Sequence, residues 1–281
     1  MKQVRLNNGV MMPAVGFGVY QIPQSETERC VSEALEAGYR MIDTAASYFN
    51  EREVGAAIRN SGIRRENIFV TTKLWVQDYE YDDALRAFDR SMKNLGLDYL
   101  DLYLLHKPYG NYYAAWRACE RLYKEGRIRA IGVTSFSDER LQDLFLHNEV
   151  KPAVNQLETN PWFQQRASSD FLAGEGIAHE AWAPFAEGNG DIFHNPVLTA
   201  IAARHRRTVG QVILRWLNQR GVIVIPKSVH RERMVENLDI FGFTLTPEEM
   251  AMIAGLDTGR STIYDDSDLA TVRGIGLHAI H

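Results

Sequence analysis

Asp43, Tyr48, Lys73 and His106 are the side chains of this 281-residue sequence whose types and settings could carry chemistry. Asp43 closes the apolar core of YRMIDTA (39–45), Lys73 lies at the end of IFVTTKL (68–74), and His106 directly follows YLDLYLL (99–105). A hydrophobic run has no packing reason to end on an ionisable group. If the three runs are neighbouring parallel strands, about 4.8 Å apart, groups at the same level on their ends converge. Tyr48 follows Asp43 by five residues, in what reads as the next loop. Each residue also has a plainer reading. The Asp and Lys could form a structural ion pair, the His could be a satisfied rim histidine, and the Tyr could be packing. Three ionisable groups on adjacent strand ends, with a phenol beside them, are a poor way to finish a core, so the joint occurrence points to a site.

The chemistry open to such a set is specific. A free tyrosine titrates near about pH 10 and is a weak acid at neutrality. An ammonium within hydrogen-bond reach stabilises the phenolate and is expected to lower the Tyr48 pKa toward the working range. Asp43 would keep Lys73 charged and oriented. His106 would hold a carbonyl oxygen in line with the Tyr48 hydroxyl. The four together can give a proton to a carbonyl oxygen while hydride arrives at its carbon, and the hydride must come from a cofactor because no side chain supplies one.

The elements that must position these groups are legible as two alternating textures. Eight short apolar or β-branched runs recur at 15–20, 39–45, 68–74, 99–105, 129–136, 152–157, 178–184 and 221–226. They are nearly continuous in apolar residues, as parallel strands covered on both faces should be. Amphipathic stretches rich in Glu, Arg, Ala and Leu separate them. Ser25 with Glu28 has the spacing of a capping box, and Gly38, Gly62, Gly96 and Gly126 follow helical patterns where a C′ glycine belongs. Eight strand–helix units favour the α/β class and a (β/α)8 TIM barrel over an open sheet. Segment 2–12, with Asn7-Asn8-Gly9 as its turn, reads as a β-hairpin that closes the barrel bottom. Residues 257–281 have no clear periodicity and read as a tail. No linker or low-complexity stretch interrupts 1–281, so one domain is expected. A barrel carries its reactive groups at the C-terminal ends of its strands, where the four candidates lie.

Composition excludes several classes. The formal charge is −5 and no basic tract occurs, so nucleic acid is not an expected partner. No run approaches the roughly 18 apolar residues of a membrane span, and the N-terminus has no signal-peptide core, so a cytoplasmic protein without membrane contact is expected. Cys30 and Cys119 are far apart and outside any CxxC spacing, which fits a reducing compartment and no metal site. The expected partner is a small carbonyl compound, and the expected state a monomer.

A cofactor needs a site. No strand–GxGxxG–helix motif is present, and Gly16-Phe17-Gly18 is only a fragment of one. Barrels instead tend to bind phosphate after their last two strands. There, IPKSVHRER (225–233) puts Lys227 and Ser228 at a helix start with Arg233 close behind, an anion site or else a solvated basic helix start. Tyr20, Trp75 and Trp182 at other strand ends could line an apolar cleft, or simply pack. Trp182 has the flat ring to stack on a nicotinamide. Asn155 and Gln156 offer amides for its carboxamide, being otherwise costly to bury.

With these motifs in order, the sequence resembles the aldo-keto reductases. The resemblance runs from the hairpin to LDTGRS (256–261) through GFGVY, YRMIDTAASYFNEREVGAAI, IFVTTKLW, LDYLDLYLLHKP, GRIRAIGVTSF, PAVNQLE, WAPF and IPKSVHRERMVENLDIF. It implies a catalytic tetrad of Asp43, Tyr48, Lys73 and His106, and NADP(H)-dependent, reversible reduction of aldehydes and ketones. It also implies carboxamide ligands at Thr134, Ser135 and Gln156, a stacking ring at Trp182, and adenosine 2′-phosphate and adenine ligands at Lys227, Ser228, Arg233, Glu236 and Asn237. The basic pair Lys227 and Arg233 favours a phosphorylated cofactor by itself, since a free ribose hydroxyl needs no cations. Thr134-Ser135 departs from the family's usual Ser-Asn, which implies a weaker or water-mediated carboxamide bond. Trp182 and the short segment 185–193 resemble the bacterial branch of 2,5-diketo-D-gluconate and methylglyoxal-type reductases, which act on small dicarbonyls and keto-sugar acids. Tyr20, Trp75 and Lys107 are the candidate substrate residues; Lys107 could attract an anionic carbonyl compound or be a solvated rim lysine.

Two rival readings stay open on the sequence. A Schiff-base aldolase would use Lys73 as nucleophile, but it needs a neutral amine beside Asp43. A non-catalytic nucleotide-binding module would have no use for Tyr48.

Overall fold

The structure, a computed structural model, describes residues 2–281. Strands β1 (Gln3–Arg5) and β2 (Met11–Pro13) pair antiparallel around the Asn7-Asn8-Gly9 turn. They are followed by β3 (Phe17–Gly18), β4 (Met41–Asp43), β5 (Phe69–Leu74), β6 (Leu100–Leu105), β7 (Ile128–Thr134), β8 (Val154–Glu158), β9 (Ala178–Trp182) and β10 (Ile223–Val224), which pair in parallel in chain order. The seam between first and last closes the sheet: Gly16 N donates to Val224 O at 2.8 Å, and Gly18 N to Pro226 O at 3.2 Å. A Cβ on Gly18 would stand 2.9 Å from the Ile225 carbonyl oxygen, so the Gly-Phe-Gly triplet serves barrel closure. The eight expected runs thus form the eight strands of a (β/α)8 barrel.

The helices are α1 (Gln24–Ala37), α2 (Glu51–Asn60), α3 (Tyr81–Leu95), α4 (Tyr112–Lys124), α5 (Asp138–Leu146), α6 (Arg166–Glu175), α7 (Pro196–His205), α8 (Val209–Gln219), α9 (Arg231–Leu238), α10 (Pro247–Ala254) and α11 (Leu269–Gly276). α3 illustrates why they form. Ala84, Ala87, Phe88, Ser91, Met92 and Leu95 fall on one buried stripe at helical spacing, and Gly96 ends the helix at φ 61°. One capping expectation fails. α1 starts at Gln24 behind Pro23, so Ser25 lies inside the first turn without capping, and Glu28 accepts a bond from Asn60 instead. Capping boxes occur at Thr208–Gln211 and Thr246–Glu249.

Two layers of core result. The larger lies between strands and helices; the smaller fills the barrel interior with Met41, Phe69, Leu102, Leu104, Val154, Ile223 and Ile225. Leu6 and Met12 of the hairpin join this inner layer. Asn7 and Asn8 donate to the Pro152 and Arg129 carbonyls at 2.9 Å each, so the hairpin closes the barrel bottom as expected. The bottom is therefore apolar and sealed, which leaves the opposite end for chemistry. Residues 257–281 cross that end and include α11, a helix with no fully buried residue whose half-buried Val272 and Ile275 pack against the core. No helix is long and apolar enough to cross a membrane among the described residues.

Candidate active site

Asp43 is the last residue of β4, and the turn of 3-10 helix that follows (Ala46–Tyr48) carries Tyr48 back over the strand end. Lys73 is the penultimate residue of β5, and His106 directly follows β6. The three strand residues do not share one pairing level, as the sequence alone led us to expect. Asp43 pairs with Thr71, and Lys73 pairs with Leu104, so each candidate sits two residues beyond its neighbour's partner. A step of two keeps all of them on the same face, and the tilt of barrel strands turns such a staircase into convergence.

The geometry is that of a connected set. Lys73 is wholly buried, and its ammonium donates to Asp43 Oδ1 at 2.6 Å, to the Thr44 carbonyl at 3.0 Å and to the Tyr48 hydroxyl at 3.2 Å. All three of its hydrogens are used. Burial works against the Lys73 charge, yet Asp43 and Tyr48 outweigh it and hold the group above the ordinary lysine value. A lysine so held is an ammonium, which removes the nucleophile that Schiff-base chemistry requires. The Tyr48 phenol corrects the sequence-based expectation. Burial pushes it up to about 12, and the opposing pull of Lys73 is the smaller effect. At neutral pH it is a protonated phenol whose proton faces no competition from a nearby base.

His106 has its ring centroid 5.6 Å from that of Tyr48, edge to face. Burial, then the charges of Lys73 and Lys107, hold it well below the ordinary histidine range. The ring is therefore neutral. Ser47 Oγ lies 3.2 Å from Nδ1; with that hydroxyl donating, the imidazole carries its hydrogen on Nε2 and can itself donate.

The residues assigned to a nicotinamide surround this set. Gln156 pairs with Thr134 in the β7–β8 register, and its Nε2 donates to Asp43 Oδ2 at 3.0 Å. The Thr134 hydroxyl donates to the His106 carbonyl, so its own hydrogen is spent. Ser135 stands at φ 58°, a left-handed position for which asparagine is better suited than serine, and its Oγ accepts from Lys107 at 3.2 Å. Asn155 points elsewhere: its Nδ2 donates to the Phe136 carbonyl at 2.8 Å. Trp182 ends β9 half-buried. On the far side, Lys227 and Arg233 are exposed and Ser228 and Asn237 are buried. α9 begins at Arg231, so Lys227 and Ser228 precede the helix by a turn rather than starting it. Glu236 borders a cleft of about 470 Å³ together with Arg206, Arg207 and Gln211.

Tyr20 and Trp75 flank the tetrad: the Tyr20 ring is 4.9 Å from Tyr48, and the Trp75 ring 5.1 Å from His106. Lys107 is a different case from either sequence reading. It is 4% exposed, and its ammonium bonds Ser135 Oγ, Tyr264 OH at 2.7 Å and Asp266 Oδ1 at 2.8 Å. It is neither solvated nor free for a ligand, because the C-terminal segment covers it. Tyr109 adds a second bond to Asp266 Oδ1 at 2.9 Å, Tyr264 lies stacked by Trp182 at 5.7 Å, and Trp75 Nε1 donates to the His278 carbonyl at 2.7 Å. Sequence reasoning read 257–281 as a tail and singled out neither Tyr264 nor Asp266. It also missed Ser47 and Glu180. Tyr264 and Asp266 lie in a segment without motif spacing, whereas Ser47 and Glu180 lie inside recognised runs and gain their meaning only from the contacts that the folded barrel gives them.

Residues 9–258 match the model of the aldo/keto reductase family. Morphine 6-dehydrogenase of Pseudomonas putida is 46% identical over 282 residues, covering 95% of each chain. Glyoxal reductase of Bacillus subtilis strain 168 is 47% identical over 256 residues, covering 90% of this chain and 92% of that protein. Among solved structures, a Bombyx mori aldo-keto reductase in complex with NADP superposes with a TM-score of 0.90 at 34% identity, covering 97% of this chain and 96% of that one.

Proposed function

Since the chain belongs to the aldo/keto reductase family, we propose that it reduces aldehydes and ketones to alcohols with NADPH, Tyr48 serving as proton donor. The observation that carries this reading is the hydrogen-bonded string Tyr48–Lys73–Asp43 with a neutral His106 beside the phenol. Small dicarbonyls, aldehydes and keto sugars are the substrates we propose, and the glyoxal reductase relative supports the first of these.

The residues present fit the cofactor. Gln156 uses its amide nitrogen on Asp43 and Glu180, and its carbonyl oxygen accepts no bond among the described residues. That leaves an acceptor for a carboxamide. Lys227 and Arg233 are exposed cations outside every ion pair among the described residues, whereas neighbouring Arg231 is spent on Glu36. Two free cations beside the buried Ser228 suit a 2′-phosphate. NADP in the Bombyx mori relative supports the same assignment.

When bound, the cofactor supplies hydride to the carbonyl carbon. The chain's own groups handle the oxygen. His106 and Tyr48 hold it between two donors, and the Tyr48 proton passes to it as its charge develops. The Lys73 ammonium stabilises the phenolate left behind, and Asp43 keeps that ammonium charged and aimed. A phenol at about 12 is well suited to this, because it stays protonated at rest and yields its proton only to a strong base such as an alkoxide. All four residues come from one chain, so a monomer suffices.

The test is NADPH oxidation against a panel of methylglyoxal, aryl aldehydes and keto-sugar acids, with Tyr48→Phe in parallel. Wild type is expected to turn over part of the panel, and Tyr48→Phe to lose about a hundredfold or more in kcat while still binding NADPH. No turnover by wild type would overturn the reductase reading; full turnover by Tyr48→Phe would remove Tyr48 as the acid.

A further inference from the structure

Inside the barrel, beneath the tetrad, lies a carboxyl group for which packing gives no reason. Glu180 stands at the centre of β9, is wholly buried, and pairs in register with Gln156 on β8 and Ile223 on β10. It enters no ion pair among the described residues. Oε2 accepts from Gln156 Nε2 at 2.8 Å, and Oε1 has no partner. A buried acid is costly, so a substitution to leucine would be tolerated unless the acid has a task.

The task follows from the glutamine it touches. A side-chain amide has two N–H donors and one carbonyl acceptor. Gln156 gives one donor direction to Asp43 Oδ2 at 3.0 Å and the other to Glu180 Oε2 at 2.8 Å. Both hydrogens are thus consumed by acids on opposite sides of the barrel lumen, one from β4 and one from β9. Rotating the amide by half a turn would set its oxygen against the Asp43 carboxylate and take both hydrogens off their acceptors. Rotating it less would strand a hydrogen in a dry interior.

We propose that Glu180 is a positioning residue that acts through Gln156, fixing the amide plane so that its carbonyl is the group presented to the nicotinamide carboxamide. This rests on the assignment of Gln156 as a carboxamide ligand. The polar string then runs Tyr48–Lys73–Asp43–Gln156–Glu180 across the barrel, and the cofactor site is registered to the proton-donating site by one shared residue, Asp43. Around Glu180 stand Asp43 from β4, Lys73 from β5 and Gln156 from β8. Burial, followed by the charge of Asp43, pushes the Glu180 carboxyl up to about 8, so it is neutral at pH 7 and becomes an anion in mild alkali. An anion there favours a positively charged ring, so the oxidised cofactor gains affinity relative to the reduced one as pH rises through about 8.

The experiment measures kcat, the KM for NADPH, and binding of NADPH and NADP+ between pH 6 and 9.5. Variants are Glu180→Leu, Glu180→Gln, Gln156→Leu and the double Glu180→Leu/Gln156→Leu. Glu180→Leu is expected to raise the NADPH KM by about tenfold, with kcat at saturating NADPH within about threefold. Glu180→Gln keeps a carbonyl acceptor, so it restores the KM while abolishing the pH-dependent gain in NADP+ affinity. The double variant is expected to bind no more weakly than Gln156→Leu alone. An unchanged KM in Glu180→Leu, or additive losses in the double variant, would overturn the proposal. If Glu180→Leu does not fold, Glu180→Met, which keeps the length of the side chain but no acceptor, decides: an NADPH KM equal to wild type refutes the proposal. Should Gln156→Leu itself leave cofactor binding untouched, the fault lies with the ligand assignment of Gln156 and not with Glu180.

Discussion

Lys73 and Lys227 are both lysines at strand ends, yet burial gives them opposite tasks. Lys73 has no contact with solvent and every hydrogen committed, so it can only tune its neighbours. Lys227 is exposed and outside every ion pair among the described residues, so it is free to meet a ligand. Together with Arg233 it is the feature we propose separates a phosphorylated from an unphosphorylated dinucleotide. Lys227→Ala with Arg233→Ala is therefore expected to weaken NADPH by about tenfold or more and NADH by much less. Titration of both cofactors against the double variant checks this, and equal losses would end the 2′-phosphate assignment.

At the level of elements, the C-terminal segment matters most. Its polar ties to the barrel mouth include Asp266 to Lys107 and to Tyr109, the Tyr264 hydroxyl to Lys107, the Ser261 hydroxyl to Glu158, and the His278 carbonyl to Trp75. α11 adds no fully buried residue, only the half-buried Val272 and Ile275 packed against the core, so these polar ties and the Tyr264 ring supply much of the hold on the segment. The Lys107–Asp266 pair is one-sided in burial, with side-chain exposures of 6% and 24%. Removing the carboxylate leaves a buried ammonium short of a partner, at a cost of about 1–3 kcal/mol after allowance for the exposed side. Asp266→Asn is expected to loosen the segment, raising KM for carbonyl substrates several-fold with little change in kcat, and to expose residues after Gly259 to proteases. An unaltered cleavage pattern with an unaltered KM would show that the pair does not hold the segment.

For the whole molecule, buried ionisable groups define a pH window of stability. His179, enclosed by Thr159 and Ser169, is pushed by burial down to about 3, and His106 is also held well below its ordinary range. Depressed groups of this kind give stability that is complete above the ordinary histidine value of 6.5 and is lost as pH falls. Glu180 acts in the opposite sense. Its pKa is raised, so its contribution declines as pH climbs from 4.5 through about 8. These three groups together place the optimum near pH 6.5. Thermal unfolding across pH is expected to be a single transition, as the single domain we propose requires, with Glu180→Gln flattening the alkaline decline. Two separate transitions would argue against one domain, and an unchanged alkaline limb would argue against the ionisation of Glu180. Sedimentation at a mass near 32.0 kDa would agree with a monomer.

The sequence by itself determined the strand order, the sealed bottom and the identity of the four polar strand-end groups, because each is written in local pattern. A near-continuous apolar run needs no partner to be read as a buried parallel strand, and Asp43, Lys73 and His106 stand out against such runs. Tertiary structure decided what local pattern does not encode. The two-residue stagger between Asp43, Lys73 and His106 depends on strand tilt, a property of the closed barrel. The Tyr48 pKa depends on how completely the phenol is buried, which reversed the direction that its ammonium neighbour alone would give. Lys107 sits one residue after His106 and looks like a rim cation until Asp266, 159 residues later, is folded over it. Glu180 reads as one more residue of an apolar strand, and its meaning appears only where Gln156 of the neighbouring strand links it to Asp43 across the lumen.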